Sequence, residues 1–354
     1  MKDKQAQVIE ERCINCANCV NICSQEAKEV VDFKAEVKEL LENKNHKIVA
    51  GIAPSFPSYD SQYSLSDWII NLNNLGFDKV YEVAWGAQLI IEEYKKLLSR
   101  KNELVISSAC PVIVNYVEKY YPQLTSSLAE IVSPMGALGR YINKFEEEEV
   151  KVVLIGPCHA KKSELAEESS VDWVLTYSEL LELGLDLKGK EFVSKFKKDV
   201  KEDYSKSKME NQPKNEARHL PLAGGLLEAV KKRKEKKGYI KVEGSQRVEE
   251  LFSSIVKGEI SPLFVDALFC QGCINGIDFR EDNYFIKMGA VNSFINSTKS
   301  VVENNVKYDF DSVAEIDFKT SFEKDPQHLP EADEKALWKI LNKTNKYDES
   351  DLLN

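Results

Sequence analysis

The sequence predicts an α/β protein in which parallel β-sheets are flanked by helices. Short β-branched runs alternate with longer amphipathic stretches, and this alternation is typical of parallel α/β layers. The chain has 354 residues, of which 43% are hydrophobic, so it can bury one large core or two lobes with an appendage. Three cysteines follow predicted strands, which is where open α/β sheets place ligands.

Six runs are predicted to form buried strands because each is short, apolar and rich in β-branched residues. In chain order they are KIVAGIA, DKVYEVA, ELVISSA, KVVLIGP, DWVLTYS and FVDALFC. Helices are predicted for the amphipathic stretches between them. Cys110, Cys158 and Cys270 each follow the last apolar residues of one of these strands, so three cysteines that are distant in sequence are expected at equivalent positions of the fold.

Stretches dense in charged residues are expected to be solvated insertions or helix faces. They comprise residues 188–218, KKRKEKK at 231–237 and EEEE at 146–149. For the first two, the alternative is a docking surface for an acidic electron donor. From about residue 301 onward we expect a loose arm and then one helix from about Glu331, which wrap the core rather than catalyse.

The composition excludes several classes of function. Lys and Arg total 48 against 58 Asp and Glu, and the net charge of -10 argues against a nucleic-acid partner. The N-terminus lacks the apolar region of a signal peptide, and no stretch approaches the roughly 18 uncharged apolar residues of a membrane span. We therefore expect a cytoplasmic protein without a membrane partner. In that compartment the eight cysteines favour metal binding or redox chemistry over disulfides.

The motif CINCANCVNIC contains Cys13, Cys16, Cys19 and Cys23 at the spacing C-x2-C-x2-C-x3-C, which is the bacterial ferredoxin pattern for a four-iron four-sulfur cluster. A zinc site is the alternative, but zinc motifs usually separate two cysteine pairs by a longer loop. Cys23 is followed by Ser24 rather than by proline, and no second such motif exists. Either Cys23 closes its own cluster or the fourth iron has a non-cysteine ligand; we favour Cys23.

The other cysteines are scattered, at Cys110, Cys158, Cys270 and Cys273. They could be unrelated core thiols, a four-cysteine zinc site or the ligands of a second four-iron cluster. Their surroundings, SSACP, GPCHAKKSE and LFCQGCING, resemble in order the three signature segments of the iron-iron hydrogenase catalytic domain. Five further segments are similar to that family: IAPSFPS, NYVEKYYPQL, SPMGALG, VDWVLTYSELLELGLDL and LAGGLLEAV.

The resemblance implies a two-lobed fold with parallel sheets and a site between the lobes. The four scattered cysteines would then hold a four-iron cubane, and Cys273 would also bridge to a di-iron unit that carries CO, cyanide and a dithiolate bridge. Lys161 matches the lysine that binds a cyanide ligand, where a fixed ammonium offsets a buried negative charge. Pro54 and Ser55 match residues that line the dithiolate bridge. The implied reaction is reversible cleavage of H2 into protons and electrons.

The resemblance also divides the chain. Residues 1–44 would form a small ferredoxin-like cluster segment, residues 45–300 the two-lobed hydrogenase domain, and residues 301–354 a C-terminal arm and helix. Electrons would pass between the two four-iron clusters and a redox partner protein, either a ferredoxin or a signalling partner. Every cysteine is then used, so the chain has no thiolates for a longer series of clusters.

One departure from the family concerns proton transfer. Ala109 stands where most relatives have a cysteine that takes the proton, and alanine cannot relay one. The next positions of the family's relay, normally a serine and two glutamates, correspond to Ala129, Tyr94 and Leu97. A shift of one residue would put Glu93 in place of Tyr94. The usual proton path is therefore expected to be missing.

A second departure concerns the pocket around the di-iron unit. Gly156 and Leu268 occupy positions often filled by methionine, and Met135 occupies one often filled by glutamine. CQGC has two residues between its cysteines, where the commonest family form has three. These changes resemble the sensory branch of the family, which keeps the cofactor without rapid turnover. The resemblance therefore implies slow turnover that reports H2 or redox state.

The competing function is that of a non-catalytic iron-sulfur scaffold, similar to the hydrogenase-related cluster-assembly proteins that lack the di-iron unit. Lys161 and the APS segment favour the hydrogenase, because a bare cubane needs neither. His159 could be a substitute proton acceptor near neutral pH, or it could simply be packed. Asp266 sits where relatives often have a glutamate, and we expect it to make a structural hydrogen bond.

Overall fold

The computed structural model describes residues 7–25, 27–43, 45–146, 149–185, 213–231, 238–279, 283–305 and 313–327. Its strands are β1 Lys47–Ile52, β2 Lys79–Glu82, β3 Val105–Ile106, β4 Val150–Ile155, β5 Trp173–Leu175, β6 Tyr239–Glu243 and β7 Phe264–Leu268. Its α-helices are α1 Asn18–Asn21, α2 Lys34–Glu42, α3 Phe56–Tyr59, α4 Leu65–Leu75, α5 Val83–Arg100, α6 Pro111–Tyr120, α7 Pro134–Phe145, α8 Tyr177–Glu182, α9 Asn215–Arg218, α10 Gly225–Val230, α11 Ser245–Val256 and α12 Tyr284–Asn305. Short 3-10 helices span Glu10–Arg12, Pro122–Ser127 and His159–Ala166.

The strands form two parallel sheets. The first sheet has the order β2-β1-β4-β5 and the second the order β3-β7-β6, and every strand pair in them is parallel. The predicted class of parallel α/β layers is confirmed, and each of the six predicted runs contains a strand. The strand that sequence patterning missed is β6, whose residues YIKVE alternate charged and apolar side chains at the edge of the second sheet.

One core lies between the two sheets. It contains Val49 and Val152 from the first sheet together with Val105 and Phe264 from the second. Ile48, the residue of β1 next to Val49, faces a separate core on the outer side of the first sheet, because successive side chains of a strand point to opposite faces. Most of the buried residues of α5 and α7 belong to the shared core, so these two helices lie between the sheets.

Helices α5 and α7 approach each other closely at Gly86. A Cβ atom at this position would lie 2.1 Å from the carbonyl oxygen of Pro134 and 2.8 Å from the amide nitrogen of Leu138. Both are backbone atoms of α7, so a side chain at residue 86 cannot be accommodated without moving a helix. This contact fixes the spacing of the two helices that supply one wall of the site described below.

Two charged groups expected to be solvated are buried. Arg218 is 1% exposed, and its guanidinium donates to both carboxylate oxygens of Glu82, at 2.8 Å from Nε and 2.5 Å from Nη2. The side chain of Glu146 is 5% exposed and accepts hydrogen bonds from Lys79 Nζ at 2.8 Å and Tyr81 Oη at 2.6 Å. The expectation is wrong at these positions because each charge meets a partner from a distant element. Residues 188–212 and 232–237 lie outside the described residues.

The described part of the C-terminal arm, residues 313–327, lies against α6 and α7, and the amide of Asp325 donates to the carbonyl of Glu118 on α6 at 3.1 Å. The amide of Val132 donates to the carbonyl of Phe318 at 2.9 Å, and Arg140 Nη1 donates to the carbonyl of Asp317 at 2.7 Å. Helix α12 continues through Asn305, past the boundary predicted at residue 300. The helix expected from Glu331 lies outside the described residues. Within the described part of the chain, no helix combines the length and apolar character required to cross a membrane.

Lys162 joins the segment after the first cysteine motif to the main domain. Its side chain is 3% exposed and pairs with Glu179 on α8. Its Nζ also donates to the carbonyl of Val31 at 2.5 Å and lies 5.7 Å from the ring centroid of Phe33. A single buried ammonium thus holds three parts of the chain together. Sequence reasoning missed this residue, because nothing in the pattern KK distinguishes the buried lysine from an exposed one.

Gly86→Ala should destabilise the protein by about 1–3 kcal/mol, because the added methyl group overpacks the contact between α5 and α7. Urea unfolding measures the change. Gly289→Ala is the matched control, since Gly289 also lies in a helix but a Cβ there would meet nothing within 4 Å. The control should raise stability by about 0.5–1 kcal/mol. Equal effects of the two substitutions would show that the close approach is not a constraint.

Lys162→Ala should lower the free energy of unfolding by about 3–5 kcal/mol, because it leaves the Glu179 carboxylate buried without its partner. It should also speed proteolytic cleavage near residues 31–33, which lose their anchor. The control is Lys95→Ala, which breaks an ion pair with Glu92 in which both side chains are about one-third exposed. This substitution should lower the free energy of unfolding by at most about 1 kcal/mol. An unchanged cleavage rate in Lys162→Ala would contradict the anchoring role.

Candidate functional site

Cysteines from both sheets meet at the carboxyl ends of the strands. Cys110 follows β3 and is the N-cap of α6, Cys158 follows β4, and Cys270 follows β7. Pro111 occupies the first turn of α6, where its missing N–H costs nothing and its fixed φ favours the turn. The chain therefore turns sharply at Cys110, and its thiol lies at the end of the strand rather than within the helix.

Five thiols line one small cavity of about 40 Å³. Four of them are the scattered cysteines, which the fold brings together, and the fifth comes from the N-terminal motif: Cys110, Cys158, Cys270, Cys273 and Cys16. The sequence-based grouping of the four distant cysteines agrees with this placement. The contribution of Cys16 was not foreseen, and it shows that the two cysteine groups adjoin.

Burial governs the acidity of these thiols. It raises the pKa of Cys158 to about 11 and raises the pKa values of Cys270 and Cys273 further, and the neighbouring thiols add to the effect. Buried thiolates require a compensating positive charge, and iron or another soft metal supplies it. A set of sulfur ligands alone suits an iron-sulfur cluster. Across the described ranges, no three His, Cys, Asp or Glu side chains are arranged to hold a single metal ion.

A second cavity, of about 110 Å³, adjoins the first. Its wall is largely apolar, and Cys158 and Cys273 line both cavities. Every residue that the sequence placed around the di-iron unit lines this larger cavity: Pro54, Ser55, Met135, Gly156, Lys161 and Leu268. Ala109 lines it as well. The fold therefore brings residues from five separate segments to one apolar pocket beside the thiols.

Lys161 presents a fixed ammonium to the larger cavity. Its Nζ lies 2.8 Å from Oε2 of Glu164 and donates to the carbonyl oxygen of Ala109 at 3.3 Å. Burial alone would lower the pKa of Lys161, but the interactions with Glu164, Cys158 and Cys110 together raise it. The lysine therefore stays charged. Ser133 Oγ donates to the same carboxylate at 3.4 Å, which fixes Glu164 from the other side.

Ser55 is held in place by Tyr177. Ser55 is 1% exposed, and its Oγ lies 2.9 Å from the hydroxyl oxygen of Tyr177. That hydroxyl donates to the carbonyl of Ala53 at 3.1 Å, so the Ser55 hydroxyl acts as the donor in a fixed pair. Asp278 caps the start of α8 by accepting from the Tyr177 amide at 2.9 Å. These contacts order the segment that follows β1 at the mouth of the larger cavity.

The positions of the missing proton relay are filled by groups that do not exchange protons readily. Tyr94 is buried, its hydroxyl oxygen lies 3.0 Å from Ser108 Oγ, and burial raises its pKa to about 12. Ser108 Oγ donates onward to the carbonyl of Ile131 at 2.7 Å, where the chain of hydrogen bonds ends. Glu93 pairs instead with Lys96 at 2.7 Å and does not line the larger cavity, and the shifted alignment stays a prediction. Ala129 and Leu97 pack in or against the core and carry no polar group.

His159 lines the thiol cavity and is absent from the wall of the larger one. Burial lowers its pKa to about 4, and its Nδ1 has no hydrogen-bond partner among the residues that the structure describes. His159 is therefore set apart from the larger cavity, which Ala109 lines. Asp266 makes the expected structural hydrogen bond, accepting from the Leu227 amide at 2.9 Å, but it also lines the larger cavity.

The N-terminal motif runs through a loop and the short helix α1, and two of its thiols accept backbone hydrogen bonds. Cys13 Sγ accepts from the Asn15 amide at 3.3 Å, and Cys23 Sγ accepts from the Ala27 amide at 3.4 Å. Hydrogen bonds to sulfur of this kind tune iron-sulfur clusters. Ala17 has a φ of 57°, which strains a non-glycine residue and lets the loop turn between cysteines. The assignment of Cys23 as the fourth ligand stays a prediction.

Helix α6 connects the two cysteine groups. Its N-cap is Cys110, and two of its side chains hold the N-terminal motif. Asn115 Nδ2 donates to the carbonyl of Ile14 at 3.2 Å, and the Tyr120 hydroxyl donates to the carbonyl of Arg12 at 2.7 Å. The distance between the two groups is therefore set by one rigid element.

Sequence comparison places the chain among iron hydrogenases and related proteins. The family described as iron only hydrogenase large subunit, C-terminal domain, matches residues 46–277. The cytosolic Fe-S cluster assembly factor NAR1 of Vanderwaltozyma polyspora is 29% identical over 202 residues, which cover 51% of this chain and 37% of that protein. Iron hydrogenase 1 of Clostridium pasteurianum is 30% identical over 136 residues, which cover 33% of this chain and 24% of that protein. The chain thus aligns with less than half the length of either relative.

Solved structures agree with the fold. FeFe-hydrogenase HydA1 from Chlamydomonas reinhardtii superposes with a TM-score of 0.57 at 15% identity, covering 84% of this chain and 100% of that one. The predicted two-lobed iron-only hydrogenase fold is therefore confirmed, and iron-sulfur cofactors are expected of such a domain. Because the family match covers more than half of the chain, this protein belongs to the family of the iron-only hydrogenase large subunit, C-terminal domain.

Proposed function

We propose that this chain is an iron-iron hydrogenase that holds two four-iron clusters and a di-iron unit, and that it turns over slowly as a sensor of H2 or redox state. The observation that carries the proposal is the apolar cavity of about 110 Å³ that shares Cys158 and Cys273 with the thiol cavity. A four-iron cluster alone uses only the thiols. A second, adjoining pocket with the Lys161 ammonium in its wall suits a further, anionic group.

The residues present fit this cofactor. The four scattered cysteines would hold the cubane, and Cys273, one of the two cysteines that line both cavities, would also be shared with the di-iron unit, as the family resemblance implies. Lys161 would donate to a cyanide ligand, while Glu164 and the carbonyl of Ala109 hold its ammonium in place. Pro54 and Ser55 would line the dithiolate bridge. When bound, the di-iron unit supplies the Lewis-acid centre at which H2 is cleaved or formed.

Electron transfer is supported by the position of Cys16. It lines the same cavity as the four scattered thiols, so clusters held by the two cysteine groups would be neighbours. Cys19, in the same motif, is exposed and faces solvent, where a ferredoxin or a signalling partner can approach. The N-terminal cluster is thus the expected entry point for electrons from a redox partner.

Slow turnover follows from the groups around Ala109. A positioned acid or base contributes about a hundredfold to ten-thousandfold in rate, and alanine supplies none. The hydroxyl of Tyr94, whose pKa is about 12, is a poor substitute near neutral pH. We therefore expect hydrogen turnover well below that of relatives with a cysteine at this position, which suits a sensor better than a metabolic enzyme.

A non-catalytic iron-sulfur scaffold is the second candidate, and the similarity to NAR1, whose name describes a cluster-assembly factor, favours it. The two candidates share the four-iron clusters and differ in the occupant of the larger cavity. The position of Lys161 in the wall of that cavity supports the hydrogenase, because a scaffold has no anionic ligand there for the ammonium to bind.

The reconstituted protein should hold about eight irons per chain, because two cubanes contain four each. Cys16→Ser should lower this number to about four while the second cubane remains. Iron and sulfide analysis of the two proteins measures the difference. A wild-type value of about four would show that one cysteine group binds no cluster.

Lys161→Ala should prevent retention of the di-iron unit and leave both cubanes assembled. The substitution removes a charge-assisted hydrogen bond from a buried anionic group, a loss of about 2–5 kcal/mol. Hydrogen evolution from a reduced dye after maturation should be measurable in the wild type and absent in the variant. The control is Lys151→Ala, since Lys151 pairs with Asp172 at 3.1 Å away from the larger cavity and should not affect turnover. Equal evolution by Lys161→Ala and the wild type would contradict the role of the lysine.

A further inference from the structure

We propose that Asp266 carries protons between the larger cavity and solvent, along a row of polar side chains that crosses the second sheet from Ser107 to Lys241. The proposal rests on the proposed function, since the proton is one that hydrogen cleavage releases into this cavity or one that hydrogen formation consumes there. It assigns a proton route in place of the one that is lost because residue 109 is alanine rather than cysteine.

The three residues are neighbours in the strand register. Lys241 on β6 pairs with Asp266 on β7. On the other side of β7, Ile106 pairs with Val265, and the amide of Ser107 donates to the carbonyl of Val265 at 2.9 Å, which continues the parallel ladder and sets Ser107 beside Asp266. Neighbouring strands lie about 4.8 Å apart, so the row spans two such steps.

All three side chains point toward the core between the two sheets. Val105, Phe264 and Tyr239 precede Ser107, Asp266 and Lys241 by two residues each, and they belong to, or pack against, that shared core. Because residues two apart share a face of a strand, the polar row lies on the same inner face. The larger cavity lies on this side of the second sheet, and Asp266 lines it.

The exposed fraction of the residues rises along the row from Ser107 to Lys241. Ser107 is fully buried, Asp266 is 4% exposed and Lys241 is exposed, because β6 is the edge strand of the sheet. The row therefore leads from the interior to solvent in two steps. The hydroxyl of Ser107 has no hydrogen-bond partner within the described ranges, so it is available to the neighbouring carboxyl group directly or through a water molecule.

Asp266 is the one carboxylate among the described residues that line the larger cavity. Burial raises its pKa to about 6, and the amides of Leu227 and Leu226 and the charge of Lys241 oppose this rise. The other titratable groups that face it are Tyr94 on α5 and, across the cavity, Lys161 with the thiols of the two shared cysteines. A carboxyl group with this pKa gains and loses a proton readily near neutral pH.

The proton balance is simple. H2 is converted to two protons and two electrons, and the electrons leave through the clusters to an oxidised redox partner or dye. A proton released in the cavity binds the Asp266 carboxylate and forms the carboxylic acid. The acid then gives this proton to water at the Lys241 end and becomes a carboxylate again. Hydrogen formation uses the same steps in reverse.

The first test uses the chain with its two four-iron clusters reconstituted and needs no turnover. The infrared carbonyl band of a buried carboxylic acid should appear as the pH falls through about 6, should be absent in Asp266→Asn, and should return in Asp266→Glu. Lys241→Met should move the midpoint to higher pH, because it removes a cation that favours the carboxylate. A titrating band that persists unchanged in Asp266→Asn would overturn the proposal.

The second test uses the matured protein. Asp266→Asn keeps an oxygen for the Leu227 amide and cannot carry a proton, so hydrogen evolution should fall by about a hundredfold or more and lose its pH step, whereas Asp266→Glu should keep the step. The control is Asp172→Asn, which alters a partly buried carboxylate that accepts from the Val152 amide at 2.8 Å but does not line the larger cavity. It should retain the wild-type rate.

The two proposals fail in different ways. Wild-type protein without CO and cyanide bands in the infrared would contradict the proposed function, and with it the proton route. Normal bands in both proteins, together with an undiminished rate and an unchanged pH profile in Asp266→Asn, would contradict the proton route alone.

Discussion

The burial of several thiols at one junction of two sheets is the constraint on which the rest of the site depends. Burial raises the pKa of Cys158 to about 11, so the thiolate form needs a metal to stabilise it. The strands that end at these cysteines come from different sheets, and the shared core with α5 and α7 fixes how far apart they lie. The packing of the two lobes therefore also sets the geometry of the thiols that would bind the cofactor.

The surroundings of the thiols divide the chemistry between two compartments. The small cavity is lined by sulfur and suits a cluster that accepts and passes electrons, whereas the larger one is apolar and holds an ammonium and a single carboxylate among its described lining residues. Helix α6 ties the N-terminal motif to the first compartment, and the second sheet carries a polar row away from the other. Electrons and protons would thus leave the site in different directions.

Much of this arrangement was predictable from sequence, because strand periodicity and the position of cysteines after strands are local properties. The six predicted strands and the convergence of Cys110, Cys158 and Cys270 follow from them. The burial of Arg218 and the anchoring role of Lys162 were not predictable, because each depends on a partner far away in the chain. The same holds for Asp266, whose hydrogen bond was expected but whose place between Ser107 and Lys241 required the register of three strands.

We propose that the larger cavity holds a di-iron unit that carries CO and cyanide. The infrared spectrum of the matured wild-type protein, in the region where metal-bound CO and cyanide absorb, is the direct test of this proposal. We expect sharp CO and cyanide bands that shift when H2 replaces an inert gas. A spectrum without these bands, from protein that contains both four-iron clusters, would contradict the claim and leave the iron-sulfur scaffold as the function of this chain.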